Sequence, residues 1–154
     1  MKIRLLTVGK PRDPEAIALH DRYAERIRRL GVAYETAAVP EVKAGGRYSD
    51  EHVRQREGRL LADQLTERGT TIALDRRGHS FSSENLSKRL QQWTAPMATF
   101  AIGGPLGLSD EFRERANVVW SLSELTLPHE LTRVVLAEQL YRALTLLRGI
   151  PYHK

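Results

Sequence analysis

Residues 99–109 read TFAIGGPLGLS, an apolar run followed at once by a glycine loop and a serine. Thr99–Ile102 predicts a short buried strand, Gly103–Gly107 a turn, and Ser109 the cap of a short helix reaching about Ala116. Val118–Leu122 predicts the next strand. Strand, helix and strand in such close order form the repeating unit of a parallel sheet. Toward the amino end, Ile3–Val8 reads as a strand closed by Gly9, Lys10 and Pro11, and Pro14 to about Leu30 as a helix ended by Gly31. Ala33–Val39 is a strand stopped by Pro40, and residues 41–49 make a polar, glycine-containing loop of the kind that is mobile. Asp50 is placed to cap a long basic helix running to about Arg68, with Leu60, Leu61 and Leu65 inward. Thr71–Leu74 is a short buried strand, and Ser82 caps the following helix with Phe81 as a staple on Leu86. Glu130–Arg148 is the last helix. The fold class is therefore α/β: a single domain over residues 1–154, with a mostly parallel sheet flanked by helices.

Composition narrows the functional classes. The chain has 154 residues, 41% hydrophobic and 28% charged, which suits one globular domain. No run approaches the ~18–20 apolar residues that span a bilayer, so no membrane role is expected. The opening MKIRLLTVGKPRDP reads as a strand, not a signal peptide. With no cysteine there are no disulfides or thiolate metal sites, which agrees with a cytoplasmic location. Twenty-four Lys and Arg against 19 Asp and Glu leave +5, a balance that favours a polyanionic partner. The arginines are spread over Arg26, Arg28, Arg29, Arg54, Arg56, Arg59, Arg76 and Arg77, which equally suits solvated helix faces. Composition permits RNA without establishing it.

In the last helix Val134, Leu136, Ala137, Leu140, Tyr141, Ala143, Leu144 and Leu147 cover close to half the circumference, and Leu131, Val135 and Leu146 add to it. A helix on one side of a sheet needs an apolar stripe of a little over ~100°. The surplus points to a second chain, and so to a homodimer, or else to a deeply buried helix. Arg133 falls in the middle of that apolar arc, where a guanidinium needs a carboxylate or phosphate partner. It suits an active-site or RNA contact, or an interface salt bridge.

Three segments sit where open α/β sheets bind ligands, beyond the carboxyl ends of strands. They are Leu74-Asp75 with Gly78, the loop Gly103–Gly107, and the run SLSELTLPH over Ser121–His129. At Gly103 and Gly104 a ligand can approach bare backbone, and bulk at Gly104 is expected to occupy the ligand's space. A phosphate loop is disfavoured: GxxxxGK[ST] is absent, and Pro105 lacks an amide donor. The apolar Leu125, Leu127 and Pro128 suit either a wrap around an adenine ring or a plug for the core. His129 is a candidate acid–base group or a hydrogen-bonded structural histidine. The ending Tyr152-His153-Lys154 offers ring, imidazole and cation to a nucleotide, or simply frays.

Taken together, IGGPLGLS over Ile102–Ser109, WSLSELTLPH over Trp120–His129, Arg133, AEQLYR over Ala137–Arg142 and the terminal PYHK resemble the bacterial large-subunit ribosomal RNA pseudouridine N3-methyltransferases. These form the methyltransferase H group of the SPOUT superfamily. The likeness runs the whole length, through MKIRLLTVGK, Glu57-Gly58 and Ser82-Ser83-Glu84, and is loosest over residues 12 to 55; His79 stands where that family more often has lysine. The resemblance implies a carboxyl-terminal trefoil knot, a homodimer, and S-adenosylmethionine as methyl donor without a metal. It places Leu74, Gly103, Gly104, Ser123, Glu124, Leu125, Thr126, Leu127 and Pro128 around the cofactor. It makes Arg133, His129, Tyr152 and His153 the catalytic candidates, and Arg133, His153 and Lys154 the RNA contacts. The implied substrate is 23S ribosomal RNA within the assembled ribosome. A ribosome-binding module that keeps the fold without turnover is the alternative.

Overall fold

A computed structural model describes residues 1–43 and 45–154. The strands are β1 (Lys2–Val8), β2 (Ala33–Val39), β3 (Thr70–His79), β4 (Ala98–Ile102) and β5 (Val118–Trp120). They form one parallel sheet in the order β2-β1-β4-β3-β5. The helices are α1 (Pro14–Arg29), α2 (Asp50–Ala62), α3 (Ser83–Trp93), α4 (Asp110–Arg115) and α5 (His129–Leu147).

Alternation along the strands splits the core in two. Ile3, Leu5, Ile72, Leu74, Phe100 and Ile102 join residues of α1, α3 and α5 on one face. Leu6, Val8, Ala73 and Ala101 meet Leu61 of α2 and Phe112 of α4 on the other. Both faces are covered, which is why the central strand β4 is buried along its whole length.

Packing accounts for the wide apolar face of α5 within the single chain. The helix is wedged between α1 and α3 and also touches β4, so three of its sides are occupied. Leu136, Leu140, Ala143 and Leu144 are fully buried, whereas Leu131 stays half exposed. Tyr141 and Leu147 of the same arc, and Val135 and Leu146 beside it, are only half-buried within the chain.

Several expected boundaries move. Ser49, not Asp50, caps α2: its backbone is extended, and its hydroxyl accepts from the His52 amide at 3.2 Å, leaving Asp50 as the first helical residue. That helix stops at Ala62 rather than near Arg68, with Leu61 buried and Leu60 and Leu65 half-buried against the same cluster. β3 runs on past Leu74 to His79, with an irregularity where it crosses β5. β5 ends at Trp120, short of the expected Leu122, with the Ser121 amide still donating to the His79 carbonyl of β3 at 2.9 Å. Ser82 and Ser109 cap α3 and α4 as expected, and Phe81 packs on the cluster that contains Leu86. Within the loop expected over residues 41–49, Ala44 lies outside the described residues.

Candidate functional site

The carboxyl ends of β3, β4 and β5 open into a pocket of about 760 Å³. That is within the ~300–1,000 Å³ usual for small-molecule sites. Leu74, Ile102 and Trp120 close the sheet end of it, residues 103–108 form one wall, and Leu122, Ser123 and residues 125–128 form another. Asp75, Arg76 and Arg77 edge it on the β3 side, and His129 and Thr132 of α5 complete it.

The glycine wall is set by close packing. A Cβ on Gly103 would lie 2.7 Å from the Gly107 carbonyl carbon and 2.8 Å from the Leu108 nitrogen, so the two arms of the turn touch through bare backbone. Gly107 closes the turn with its amide on the Gly104 carbonyl at 2.9 Å. Gly104 corrects an expectation: its missing side chain points inward, 2.7 Å from Glu57 Oε2 and 3.2 Å from Val8 Cγ1, not into the ligand space. Bulk there pushes on the core behind the wall.

Arg113 braces the wall from α4, with Nη1 donating to Asp75 Oδ2 at 2.9 Å and to the Leu108 carbonyl at 3.0 Å, and with Asp110 also paired to it. Burial alone works to raise the Asp75 carboxyl. Hydrogen bonds from the Arg77 side chain and amide, with the charges of Arg77 and Arg113, outweigh it and hold the group below the usual range. The opposite wall is tied by Ser121 Oγ donating to the Ser123 carbonyl at 2.9 Å, and by the Leu125 amide donating to Ser123 Oγ at 3.0 Å. This segment is no core plug: Ser123 and residues 125–128 face the pocket and Leu125 is 75% exposed. Glu124 is exposed and absent from the lining.

At the pocket edge α5 begins after Pro128 with no side chain capping it, so its electropositive end is free to meet an electron-rich group. His129 lines the pocket, and its Nε2 is buried without a partner. Burial first, and then the Arg133 charge, lowers its pKa below the ordinary 6.5. His20, 3% exposed between Asp21 and Tyr34, is lowered mainly by burial. Both histidines therefore bind protons more readily in the unfolded chain, and the stability they permit is complete above 6.5 and lost as pH falls through their folded values. The melting temperature should drop between about pH 7.5 and about pH 5.5, and the drop should shrink in His20→Gln. Equal melting at both pH values would refute this.

Arg133 is buried, but not at this pocket. Its Nη1 donates to Thr7 Oγ1 at 3.2 Å, and it lines a second cavity with Lys10, His20 and Asp21. Of the carboxylate or phosphate partner expected for it, no carboxylate forms an ion pair with it among the described residues, although the charges of Glu130 and Asp21 act on it. The tail also lies away from the pocket. Tyr152 OH donates to Glu138 Oε1 at 3.0 Å and its ring meets Tyr141 at 4.8 Å, while His153 Nε2 lies 3.1 Å from Glu84. Glu138 is nine residues along α5 from His129, about 14 Å at the helical rise. One chain therefore gathers Leu74, Gly103, Gly104, Ser123, Leu125–Pro128 and His129, but neither Arg133 nor the tail. Asp75 and Leu122 lay within segments expected at the ligand end of the sheet, whereas Arg76, Arg77, Trp120 and Thr132 join the lining without having been placed there.

An open parallel sheet with a pocket at its carboxyl edge, walled by a glycine turn and an apolar loop, defines a small-molecule-binding α/β protein. Residues 1–153 match the family model described as predicted SPOUT methyltransferase, and the chain belongs to that family. It is 40% identical over 156 residues to the ribosomal RNA large subunit methyltransferase H of Thioalkalivibrio sulfidiphilus, covering 100% of this chain and 99% of that one. With the protein of that name from Gloeobacter violaceus it shares 42% over 154 residues, 99% of each. Among solved structures, a probable methylase family protein from Haemophilus influenzae Rd KW20 shares the fold, with a TM-score of 0.56 at 10% identity over 99% of this chain and 70% of that one.

Proposed function

We propose that this chain transfers a methyl group from S-adenosylmethionine to N3 of a pseudouridine in large-subunit ribosomal RNA, on the assembled ribosome in the cytoplasm. The observation that carries the reading is the pocket at the ends of β3, β4 and β5, in a chain collinear with relatives named for that reaction class. The pocket fits the donor chemically. Its volume suits a nucleoside-sized molecule, the tightly packed turn at Gly103 and Gly104 forms one wall, and Leu122 and Leu127 offer aliphatic faces to a purine. Leu74, Gly103, Gly104, Ser123 and Leu125–Pro128 would hold it; Glu124, exposed and off the lining, drops out of this set.

The bound donor supplies an already activated methyl on its sulfonium, so the chain needs no metal. What remains is to orient the base and to remove its N3 proton. Holding the reacting atoms at near-attack distance accounts for much of the rate in such transfers. The uncapped start of α5 can stabilise negative charge developing on a ring carbonyl. His129, neutral at pH 7 because of its burial, is a proton acceptor if its ring turns toward the base, and His153 and water are the others.

The site needs a second subunit if Tyr152, His153 and Lys154 are to reach the target base. That requirement, with half-exposed Leu131 and exposed Leu125 beside the pocket, supports a homodimer with a shared site. A carboxyl-terminal trefoil knot belongs to the same reading, which the match to the SPOUT family model supports. Purified protein should methylate ribosomes lacking the modification, with far less transfer to a synthetic hairpin, because +5 net charge offers few phosphate contacts to grip naked RNA. Ribosome binding without transfer would leave the non-catalytic module in its place.

A further inference from the structure

Three arginines gather at the end of β3, and two of them are already neutralised. Arg77 donates to Asp75 from Nε at 3.2 Å and from Nη2 at 3.3 Å. Arg113 donates from Nη1 to Asp75 Oδ2 at 2.9 Å and is also paired with Asp110. Asp75 stays ionised at pH 7 because, against its burial, Arg77 and Arg113 hold the carboxyl below the usual range. Arg76 lies between Asp75 and Arg77 in the chain, lines the pocket and is exposed. Among the described residues no ion pair or hydrogen bond engages its side chain, whereas both neighbours are bound to each other.

The backbone on either side of Arg76 is held. The Arg77 amide donates to Asp75 Oδ1 at 2.9 Å, a side-chain turn with Arg76 at its centre. Two residues beyond Arg76, a Cβ on Gly78 would lie 2.6 Å from the Val119 carbonyl carbon, so β3 presses on β5 there. A free guanidinium is thus presented to the pocket from a fixed position. The charged residues of the lining are two arginines against one aspartate, since His129 is neutral at pH 7 and the remaining lining carries no charge. That surplus positive charge belongs to Arg76, and it calls for an anionic group on the ligand.

We infer that Arg76 anchors the carboxylate of the methyl donor, pairing its guanidinium with the amino-acid end of S-adenosylmethionine while Leu122 and Leu127 flank the purine. The inference rests on the methyltransferase reading above and deepens it by assigning the second end of the cofactor. A planar guanidinium matches a carboxylate with two parallel hydrogen bonds, which fix direction as well as distance. The sulfonium lies between the purine nucleoside and the amino-acid arm. Holding both ends therefore leaves its methyl in one place for the attacking nitrogen.

The test is calorimetric titration of full-length wild type, Arg76→Gln and Arg76→Lys with two ligands. S-Adenosylhomocysteine keeps the carboxylate, whereas methylthioadenosine lacks the whole amino-acid arm. Arg76→Gln should bind S-adenosylhomocysteine about tenfold more weakly, the loss of one charge-assisted pair, and methylthioadenosine as wild type does. Arg76→Lys should recover part of the loss, because it keeps the charge but not the fork. Salt should weaken wild-type binding of S-adenosylhomocysteine more than that of methylthioadenosine, a readout that needs no variant. Arg76 is exposed and unpaired within the chain, so the three proteins should melt together without ligand. Equal losses for both ligands in Arg76→Gln would mean that Arg76 shapes the pocket, and would overturn the proposal. So would unchanged affinity for S-adenosylhomocysteine with weakened ribosome binding, which gives Arg76 to an RNA phosphate. Wild type that binds neither ligand rejects the methyltransferase reading itself. Wild type that binds both, with the variants unchanged, rejects the Arg76 assignment alone.

Discussion

Gly103→Ala should weaken cofactor binding by more than tenfold and lower stability at the same time. The added carbon lands 2.7 Å from the Gly107 carbonyl carbon and 2.8 Å from the Leu108 nitrogen, and both are backbone atoms that no rotamer change can move. Overpacking of this kind costs ~1–3 kcal/mol. The relief available is to spread the turn, which displaces the pocket wall and strains the Arg113 contact to the Leu108 carbonyl. If ~2 kcal/mol of that distortion falls on the bound state, affinity for S-adenosylmethionine drops roughly 30-fold. Gly104→Val acts differently, against Glu57, which is 2% exposed and accepts from the Val42 amide at 3.0 Å. It should lower the melting temperature first and weaken binding as a consequence. Calorimetric titration and scanning calorimetry on both variants check this. Normal affinity in Gly103→Ala would move the cofactor out of this pocket.

Deleting Tyr152–Lys154 should leave a folded protein that binds cofactor and transfers almost no methyl. No tail residue lines the pocket, so affinity for S-adenosylmethionine should stay near wild type. The Glu138–Arg142 pair survives the deletion, and the loss of exposed and half-buried contacts should lower the melting temperature by only about 2–4 °C, the shift expected for ~1 kcal/mol at this size. Turnover should fall by roughly 10²-fold or more if the tail orients the base from the partner subunit, since misplacement by about 1 Å already costs that much. Light scattering on the same samples should give twice 17.5 kDa for both proteins. A monomer, or a fully active deletion, would remove Tyr152 and His153 from the site.

The two cases show where reading residues in order succeeds. The pocket wall was legible because Gly103-Gly104 and Ser123–Pro128 follow strands directly, and the end of a parallel strand is a fixed place in an open sheet. Caps at Ser82 and Ser109 were legible because an N-cap is a local arrangement of a hydroxyl and an amide three residues on. The cap at α2 slipped by one residue because Ser49 and Asp50 are both good capping residues, and only the backbone at Ser49 is extended.

Periodicity also established that α5 is buried over half its surface and that Arg133 lies within that surface. It could not say what does the burying. That depends on α5 returning from the sheet edge at β5 to lie between α1 and α3, more than a hundred residues from the first of them in sequence. The same placement turned Arg133 away from His129 and onto Thr7, into a cavity whose other walls come from the first 38 residues. The direction of the missing Gly104 side chain was hidden for a similar reason, because Glu57 reaches it from a helix on the opposite face. Local chemistry in this chain determined the strands, most of the caps and the loops that wall the pocket, since each involves residues a few positions apart. Tertiary structure alone decided which way each buried polar group faces, because that is set by neighbours brought together only when the sheet closes.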